Sequence, residues 1–319
     1  MKRLKNVFVI LVCLSLASCG VVPGAEQTTA SSATSQTVET TAETTQVTTE
    51  TSAPTPAPTA ETFETIQATV NPYYEIDPYS FIADLPNEDG ITSFGGFEPD
   101  EEVLQQLQQA SDDLLYRHSF IMIDINTGRG VGYNLDEVYY TASSIKGPFA
   151  ASFCALAPEI AVDWEDTVIS MLQYSDNDAY RVLNDTYHRT YIQEWAAQAC
   201  VDPAPFAWKY PHISARQMAA LWLRNYEFFE QDEWGAQVGS WFESPEYSII
   251  NSTVGDLYTT RSKGGWLVDE DPDHAVSIDA GIVYADNGPY VVVIMSRVPS
   301  SLAYLGPIME ALEAVHSSM

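Results

Sequence analysis

Segments with the apolar pattern of β-strands stand at both ends of this chain's folding part, and helical patterns lie between them. Strand-like runs occupy 119–125 and 131–135, and three more follow at 257–266, 275–285 and 289–298. The last two are joined by an Asn287-Gly288 turn, which favours an antiparallel meander. We therefore predict an α+β fold, in which one antiparallel sheet is built from both ends of the domain around a helical insertion.

The first residues have the pattern of a secretory signal rather than of a membrane span. Residues 1–18 begin with MKRLK and continue as a short apolar run, and their charge lies on one side only. The segment Leu16-Ala17-Ser18-Cys19 resembles a bacterial lipoprotein signal, which implies cleavage before Cys19 and lipidation of its thiol. An ordinary secretory signal or a start-anchor is the alternative. We thus predict an extracytoplasmic protein held at the bacterial cell membrane by a lipid anchor.

Three further segments follow from composition. Residues 19–65 are rich in Thr, Ser, Glu, Ala and Pro and lack apolar periodicity, which predicts a disordered linker. Residues 66–97 are aromatic but rich in Pro and Asp, so we predict an irregular arm packed on the domain. The folded domain is predicted over 98–319.

Charge and cysteine usage narrow the function. The 44 acidic and 14 basic residues give a net charge of −30, which repels nucleic acid, so no nucleic-acid partner is expected. His188, His212 and His274 lack metal-ligand spacing, and neither a metal nor another cofactor is predicted. Cys154 and Cys200 remain beyond the lipid site, either as one disulfide or as two buried thiols, and we favour the thiols.

Three short segments carry recognisable chemistry in a fixed order: Ser143-Ser144-Ile145-Lys146, Ser175-Asp176-Asn177 and Lys263-Gly264-Gly265. They resemble the S-x-x-K, S-D-N and K-T-G motifs of class A β-lactamases and penicillin-binding proteins. The surrounding stretches YYTASSIKGPFA, MLQYSDNDA, SARQMAALW and DAGIVYADNGPYVVVIMS extend the resemblance over most of 98–317. It implies three α/β/α layers, with a helical insertion that the short spacing from Ser143 to Ser175 makes smaller than in the family.

Lysine usage supports the resemblance independently. Beyond the signal the chain has only Lys146, Lys209 and Lys263, and two of them fall in these motifs. On a helix, positions three apart share a face, so the Lys146 amine can reach the Ser143 hydroxyl. A neutral lysine can then take the serine proton, and burial with a nearby cation, for which Lys263 is the candidate, favours the neutral form.

The resemblance assigns the remaining roles. Ser143 is the nucleophile, Lys146 its base and Lys263 the nearby catalytic cation, while Ser175 relays the proton to the departing nitrogen. Asn177 orients the substrate amide, and Gly264, Gly265 and Trp266 line the substrate. The N–H groups of Ser143 and Trp266 form the oxyanion hole.

Simpler readings of the same residues stay open. Ser143 is an N-cap in one of them, with Ser144 as its rival, and Ser175 and Asp176 cap the next helix. Lys263 can be an edge-strand charge. Asp279 is interpreted as a structural carboxylate at a strand end.

Two departures from the family pattern bear on the substrate. Gly264 stands where the family has the hydroxyl that helps hold a β-lactam carboxylate, and Ser262 or Thr260 are candidates to replace it. Between Glu194 and Glu227 the only carboxylate is Asp202, so the family's deacylating glutamate has no counterpart, and we expect Asp202 not to replace it.

We therefore predict a serine hydrolase that forms an acyl-enzyme at Ser143 and deacylates slowly. Its partner is a small-molecule or peptide substrate, either a β-lactam or a cell-wall peptide amide. The alternative is a catalytically weak or inactive lipoprotein of the same fold that binds or senses such a ligand.

Overall fold

The computed structural model describes residues 77–271, 274–299 and 301–319. Its main sheet has six strands in the order β1-β3-β2-β8-β7-β6, and every neighbouring pair is antiparallel. The predicted sheet built from both ends of the domain is therefore confirmed. The strands are β1 Thr92–Phe94, β2 His118–Asp124, β3 Gly130–Tyr133, β6 Thr259–Leu267, β7 Val276–Ala285 and β8 Gly288–Ser296, and a separate pair is formed by β4 Val138–Tyr140 and β5 His212–Ser214.

The sheet is apolar on both faces because helices cover both of them. Along β2, Phe120 and Met122 face one core and Ile121 and Ile123 face the other, as the two-residue period of a strand requires. Complete burial of each such side chain stabilises the fold by about 1.5–3 kcal/mol. This explains why the strand sequence is continuously apolar rather than alternating.

Helices form the two outer layers of the predicted α/β/α arrangement. On one face α2 and α11 supply Leu107 and Leu312, and on the other α3 and α8 supply Phe149 and Trp222. The helices are α1 Pro78–Ala83, α2 Glu101–Asp113, α3 Lys146–Leu156, α4 Pro158–Ala161, α5 Glu165–Gln173, α6 Asn177–Tyr187, α7 Thr190–Gln198, α8 Ala215–Phe229, α9 Glu233–Ser240, α10 Ile249–Val254 and α11 Gly306–Ser317.

The start of α8 shows how local sequence fixes an element that borders the site. The Ser214 hydroxyl accepts from the Gln217 N–H at 3.3 Å, and the Gln217 side chain accepts from the Ser214 N–H at 2.9 Å. This reciprocal capping satisfies two N–H groups that the helix itself leaves without partners. Ser214 also ends strand β5, so one residue fixes both elements.

The prediction of an irregular arm over 66–97 is wrong in one respect for the residues that the structure describes. Its residues 77–97 are not wholly irregular, because they contain helix α1 and the edge strand β1. Asp77 caps α1 through its carboxylate, and β1 pairs with β3 from Thr92 to Phe94. The folded domain therefore begins before residue 98. The signal, the lipid site Cys19 and the linker lie outside the described residues.

Within the described residues, no single helix combines the length and apolar character needed to cross a membrane. The segments 142–156 and 158–173 meet that requirement only when they are joined, and they are bent by 110° relative to one another.

Candidate active site

Ser143 lies in a tight turn between β4 and α3. The turn is a 3-10 helix over Ala142–Ile145, and Ala142 enters it with a φ of 44°, a strained region for a residue with a Cβ. The Ser144 hydroxyl donates to the Thr141 carbonyl at 2.7 Å. The partly exposed Ser143 hydroxyl has no hydrogen-bond partner among the described residues, and it caps neither helix. The interpretation of Ser143 as an N-cap is therefore wrong.

Lys146, at the start of α3, is completely buried. Its Nζ donates to the Ser175 carbonyl at 2.6 Å, to Asn177 Oδ1 at 2.7 Å and to the Asp176 carbonyl at 3.3 Å. Burial lowers the Lys146 pKa to about 8, against the opposing pull of the Asp176 carboxylate. A substantial fraction of this amine is therefore neutral just above neutral pH, as a general base requires.

The Ser175-Asp176-Asn177 segment turns the chain into α6. Asp176 caps that helix, since its Oδ1 accepts from the N–H groups of Asp178 at 2.8 Å and Ala179 at 3.1 Å. Ser175 does not cap. Its φ is 57°, and its carbonyl and hydroxyl oxygens accept from two different lysines, Lys146 and Lys263. Of Ser175 and Asp176, only Asp176 caps α6.

Lys263 lies in the middle of β6, which is the edge strand of the sheet. Its side chain is nevertheless 1% exposed, so it is not the solvated edge charge of the simpler reading. Its Nζ donates to the Ser175 hydroxyl at 3.1 Å and to the Gly264 carbonyl at 2.7 Å. Burial, followed by the charge of Lys146, lowers the Lys263 pKa to about 7.

Two cations act on Lys146, the predicted Lys263 and the unpredicted Lys209. Lys263 and Lys146 each disfavour the other's charge, since that repulsion is mutual, and the charge of Lys209 also lowers the Lys146 pKa. Lys209 Nζ lies 5.0 Å from the centroid of the Tyr180 ring, and Lys146 Nζ lies 5.6 Å from the same centroid. The Nζ atoms of Lys146 and Lys209 therefore lie no farther apart than the sum of these two distances. All three lysines that follow the signal belong to one site.

Gly265 allows strand β6 to lie directly against the serine turn. A Cβ at this position would stand 2.3 Å from the Ser144 nitrogen and 2.6 Å from the Ser143 nitrogen. Only glycine permits this approach, which brings the segment before Trp266 beside the Ser143 N–H. Trp266 is partly exposed, and its ring meets that of Tyr247 with centroids 4.9 Å apart.

At Gly264 both a side chain and the space for one are absent. A Cβ there would stand 2.5 Å from the Tyr247 carbonyl oxygen and 2.9 Å from Leu302 Cδ1. The chain around Tyr247 thus occupies the space that a Thr or Ser side chain would need. A cavity of about 390 Å³ opens beside it and is lined by Glu246, Tyr247, Trp266 and Leu302 among others.

Neither candidate substitute for that hydroxyl is available. The Ser262 and Ser248 hydroxyls are bonded to each other at 2.8 Å, and Thr260 donates to Asn251 Oδ1 at 2.8 Å. Both Ser262 and Thr260 are buried. Their hydroxyl groups serve the protein interior rather than a ligand.

Asp279 is structural, as predicted, but it lies in the middle of β7 rather than at a strand end. It is completely buried, pairs with Gly264 across the sheet, and accepts from the Ser248 hydroxyl at 2.7 Å and the Ile250 N–H at 3.1 Å. Burial raises the pKa of Asp279 to about 6, with the Lys263 charge opposing. Asp279 thereby joins the back of the strand to α10.

Asp202 is exposed and far from the role of a replacement base. Its Oδ1 accepts from the Ala204 N–H at 3.0 Å, and it lines a separate cavity with Tyr79, Cys200 and Arg216. Among the described residues, no carboxylate hydrogen-bonds or ion-pairs with Lys146.

The two remaining cysteines are both unpaired. Cys154 is buried on α3, and burial raises the pKa of its thiol. Cys200 is exposed and adopts a φ of 55°. The prediction of two buried thiols holds for Cys154 and is wrong for Cys200. Across the described ranges, no group of three or more His, Cys, Asp or Glu side chains is arranged to hold a metal ion.

Sequence reasoning missed Tyr180, Lys209 and Tyr247. Lysine scarcity had already singled out Lys209 without giving it a role. Tyr180 follows Asn177 by three residues on α6, so helical spacing predicts that they share a face. No sequence signal places the Tyr247 carbonyl against Gly264, because that contact joins separate loops.

Solved structures similar in fold to this chain include several β-lactamases. The chain is 12% identical to a β-lactamase from Chitinophaga pinensis, with a TM-score of 0.55 over 67% of this chain and 97% of that one. It is 17% identical to a β-lactamase from Sphaerobacter thermophilus, with a TM-score of 0.54 over the same two shares. A class A β-lactamase from Mycobacterium abscessus gives 15% identity and a TM-score of 0.51, again over 67% and 97%. No curated protein sequence matches the chain.

The fold and the paired lysines around Ser175 thus define a protein of the β-lactamase fold. The model of the β-lactamase enzyme family matches residues 155–314, which are half of the chain. The chain belongs to this family. The match includes Ser175 and Lys263 and begins after Ser143 and Lys146, whose place in the site comes from the structure.

Proposed function

We propose that the protein is a serine hydrolase that forms an acyl-enzyme at Ser143 with a β-lactam or a peptidoglycan-type amide. The observation that carries this proposal is the convergence of two buried lysines, Lys146 and Lys263, on Ser175. A buried lysine is costly unless it is used or paired, and here both have lowered pKa values. Such groups are expected where protons are moved.

The geometry supports a complete acylation step. Neutral Lys146 takes the proton of the Ser143 hydroxyl as its oxygen bonds to the substrate carbonyl carbon. The oxygen that becomes negative is stabilised by the N–H groups beside the Gly265 contact. When the carbon–nitrogen bond breaks, the Ser175 hydroxyl gives its proton to the leaving nitrogen and regains one from the Lys146 ammonium, which carries the proton taken from Ser143.

Hydrolysis of the acyl-enzyme is proposed to be slow. Its rate depends on a base that activates water, and the hydrogen-bond acceptors of Lys146 are backbone and amide oxygens rather than a carboxylate. The protein then behaves more like a penicillin-binding protein than like an efficient β-lactamase.

The proposed setting is extracytoplasmic, with Cys19 lipidated and the domain held off the bacterial membrane by the linker. The sequence of residues 1–19 supports this proposal. Metabolic labelling with a radioactive fatty acid tests it. We expect the label on the wild type and its loss from Cys19→Ala, and an unlabelled wild type refutes the anchor.

A second candidate is a binding or sensing lipoprotein without turnover. It is favoured by the three acceptors around the Lys146 ammonium, which stabilise its protonated form, and by the absence of a contact to Ser143 among the described residues. A binding protein of this kind needs no covalent step.

Intact-protein mass spectrometry of the full-length protein during exposure to a β-lactam separates these functions. We expect a persistent adduct on the wild type and none on Ser143→Ala. A short-lived adduct contradicts slow deacylation, and the absence of any adduct favours the binding protein. An adduct that survives in Ser143→Ala shows that another residue is modified.

A further inference from the structure

Lys209 is the one lysine of the site to which the acylation mechanism gives no step. It lies between the short 3-10 helix over 204–207 and β5. This is the segment in which the family's deacylating glutamate has no counterpart. Its Nζ stands 5.0 Å from the centroid of Tyr180 and 5.9 Å from that of Tyr210. Two aromatic faces therefore hold the amine in place while it stays partly exposed.

This amine has no hydrogen-bond or ion-pair partner within the described ranges. Asp185 acts on it only at a distance, and the neighbouring cations Arg181 and Arg189 are bonded to Asp178 and Asn184 instead. In a chain with 44 acidic and 14 basic residues, an unpaired lysine is unusual. Its charge is free to meet an anion from outside the protein.

The place of Lys209 indicates which half of a substrate it meets. Asn177, the residue assigned by resemblance to the substrate amide, and Tyr180 lie three positions apart on α6. Lys209 covers the Tyr180 ring on this side of the site. A substrate whose acyl amide reaches Asn177 would therefore extend its acyl chain towards Lys209.

The opposite side of the site does not suit an anion. Gly264 lacks the hydroxyl, and the Tyr247 carbonyl stands where it would be. The adjoining cavity includes Glu246 and contains no lysine, arginine or histidine among its lining residues. A negative charge on the leaving half of the substrate therefore meets an acidic and apolar surface there.

We propose that Lys209 binds an anionic group on the acyl half of the substrate, so that the site prefers amides whose acyl chain ends in a carboxylate. This inference rests on the proposed function of Ser143. The family resemblance implies that the negative charge of the substrate is held on its leaving half, at the position of Gly264. In this proposal the selective cation lies on the acyl half instead.

Two cephalosporins test the proposal when their side chains at position 7 are identical except that one ends in a carboxylate and the other in its methyl ester. The readout is the ratio of their second-order rates of Ser143 acylation, measured by intact mass on the full-length protein. We expect the wild type to prefer the carboxylate by about fivefold, as befits a partly exposed ion pair. Lys209→Met brings the ratio close to one, and Lys209→Arg retains most of the preference.

The ratio separates recognition from a general effect on Lys146. A change in the basicity of Lys146 alters the rates of both probes together and leaves their ratio unchanged. Arg117→Met, which removes a charge that is 73% exposed and paired with Glu137, serves as the control and should keep the wild-type ratio.

Equal rates for the two probes on the wild type overturn this inference and leave the proposed function standing. An unchanged ratio in Lys209→Met overturns it as well. If neither probe labels the wild type at Ser143, the proposed function fails and the inference fails with it.

Discussion

The helix side and the strand side of the site differ in charge and in the space that they leave. On the helix side, Lys146 donates to three oxygens and Lys209 adds a second amine across Tyr180. On the strand side, Lys263 remains, but the neighbouring side chain is lost at Gly264. The helix side is thus richer in charge, and the strand side is tighter and more apolar.

This difference shows that a glycine can stand beside a site for a packing reason. Gly264 alone suggests the loss of a ligand contact. The Tyr247 carbonyl at 2.5 Å from the Cβ position shows that the space itself has been filled. The two lysines at Ser175 are therefore present although the space beside Gly264 is filled.

The largest effect is expected from removing Lys146, the proposed base on the helix side. We expect Lys146→Met to slow acylation of Ser143 by about 100-fold or more, the effect typical of a positioned general base. The measurement is the second-order rate of adduct formation with a β-lactam, with the melting temperature as the check on folding. A folded variant that keeps a tenth of the wild-type rate contradicts the role of Lys146.

The strand side should reveal its buried lysine through stability. Because the Lys263 pKa is about 7 in the folded protein and 10.5 is its ordinary value, the unfolded chain holds a proton that the folded protein has lost at pH 9. The free energy of unfolding therefore rises with pH from 7 towards 10. Lys263→Met should remove a part of this rise on the order of a few kcal/mol.

Denaturant unfolding at pH 7 and pH 9 provides the measurement. Arg117→Met is the matched control, because it also removes one positive charge but from an exposed position, and it should keep the wild-type pH dependence. An identical pH dependence in Lys263→Met and wild type shows that Lys263 retains its proton in the fold.

A hydroxyl group restored at position 264 tests whether the strand side has room for a side chain. Gly264→Ser places an atom against the Tyr247 carbonyl, and we expect a loss of about 1–3 kcal/mol in stability without faster acylation. Gly306→Ala is the control, since its Cβ would meet only Ile249 Cδ1 at 3.6 Å. Faster acylation by Gly264→Ser at unchanged stability means that the space is open to a side chain.

The smallest effect is expected at the cysteines. A thiol reagent should modify exposed Cys200 at once and buried Cys154 only on unfolding. Cys200→Ser should abolish the fast phase and change the free energy of unfolding by less than about 0.5 kcal/mol. Rapid modification of Cys154 in that variant indicates that α3 opens readily.

Local patterns accounted for most of the fold. The strands of the meander, the helix that follows Ser143 and the cap at Ser214 could all be predicted, because each depends on residues close together in sequence. Strand β1 could not. Thr92–Phe94 is a three-residue edge strand that becomes ordered only by pairing with β3, so its own sequence carries little signal.

The same division holds for the site. Ser143, Lys146, Ser175 and Lys263 were predicted from their order and spacing, and the structure brings the two lysines together at Ser175. Lys263 was predicted as the cation acting on Lys146, whereas the contribution of Lys209 was not predicted. Which charges meet depends on loops folding back, and Lys209 approaches Tyr180 only through such a return of the chain.

The sequence by itself determined the sheet built from both ends, the ordered motifs and the glycine at position 265, since periodicity and residue type act locally. Only the tertiary structure decided that Lys263 is buried on an edge strand, that Tyr247 fills the space beside Gly264, and that Lys209 joins the site. Burial and electrostatic environment are set by contacts between segments far apart in the chain. Side-chain pKa values and ligand preference follow from those contacts.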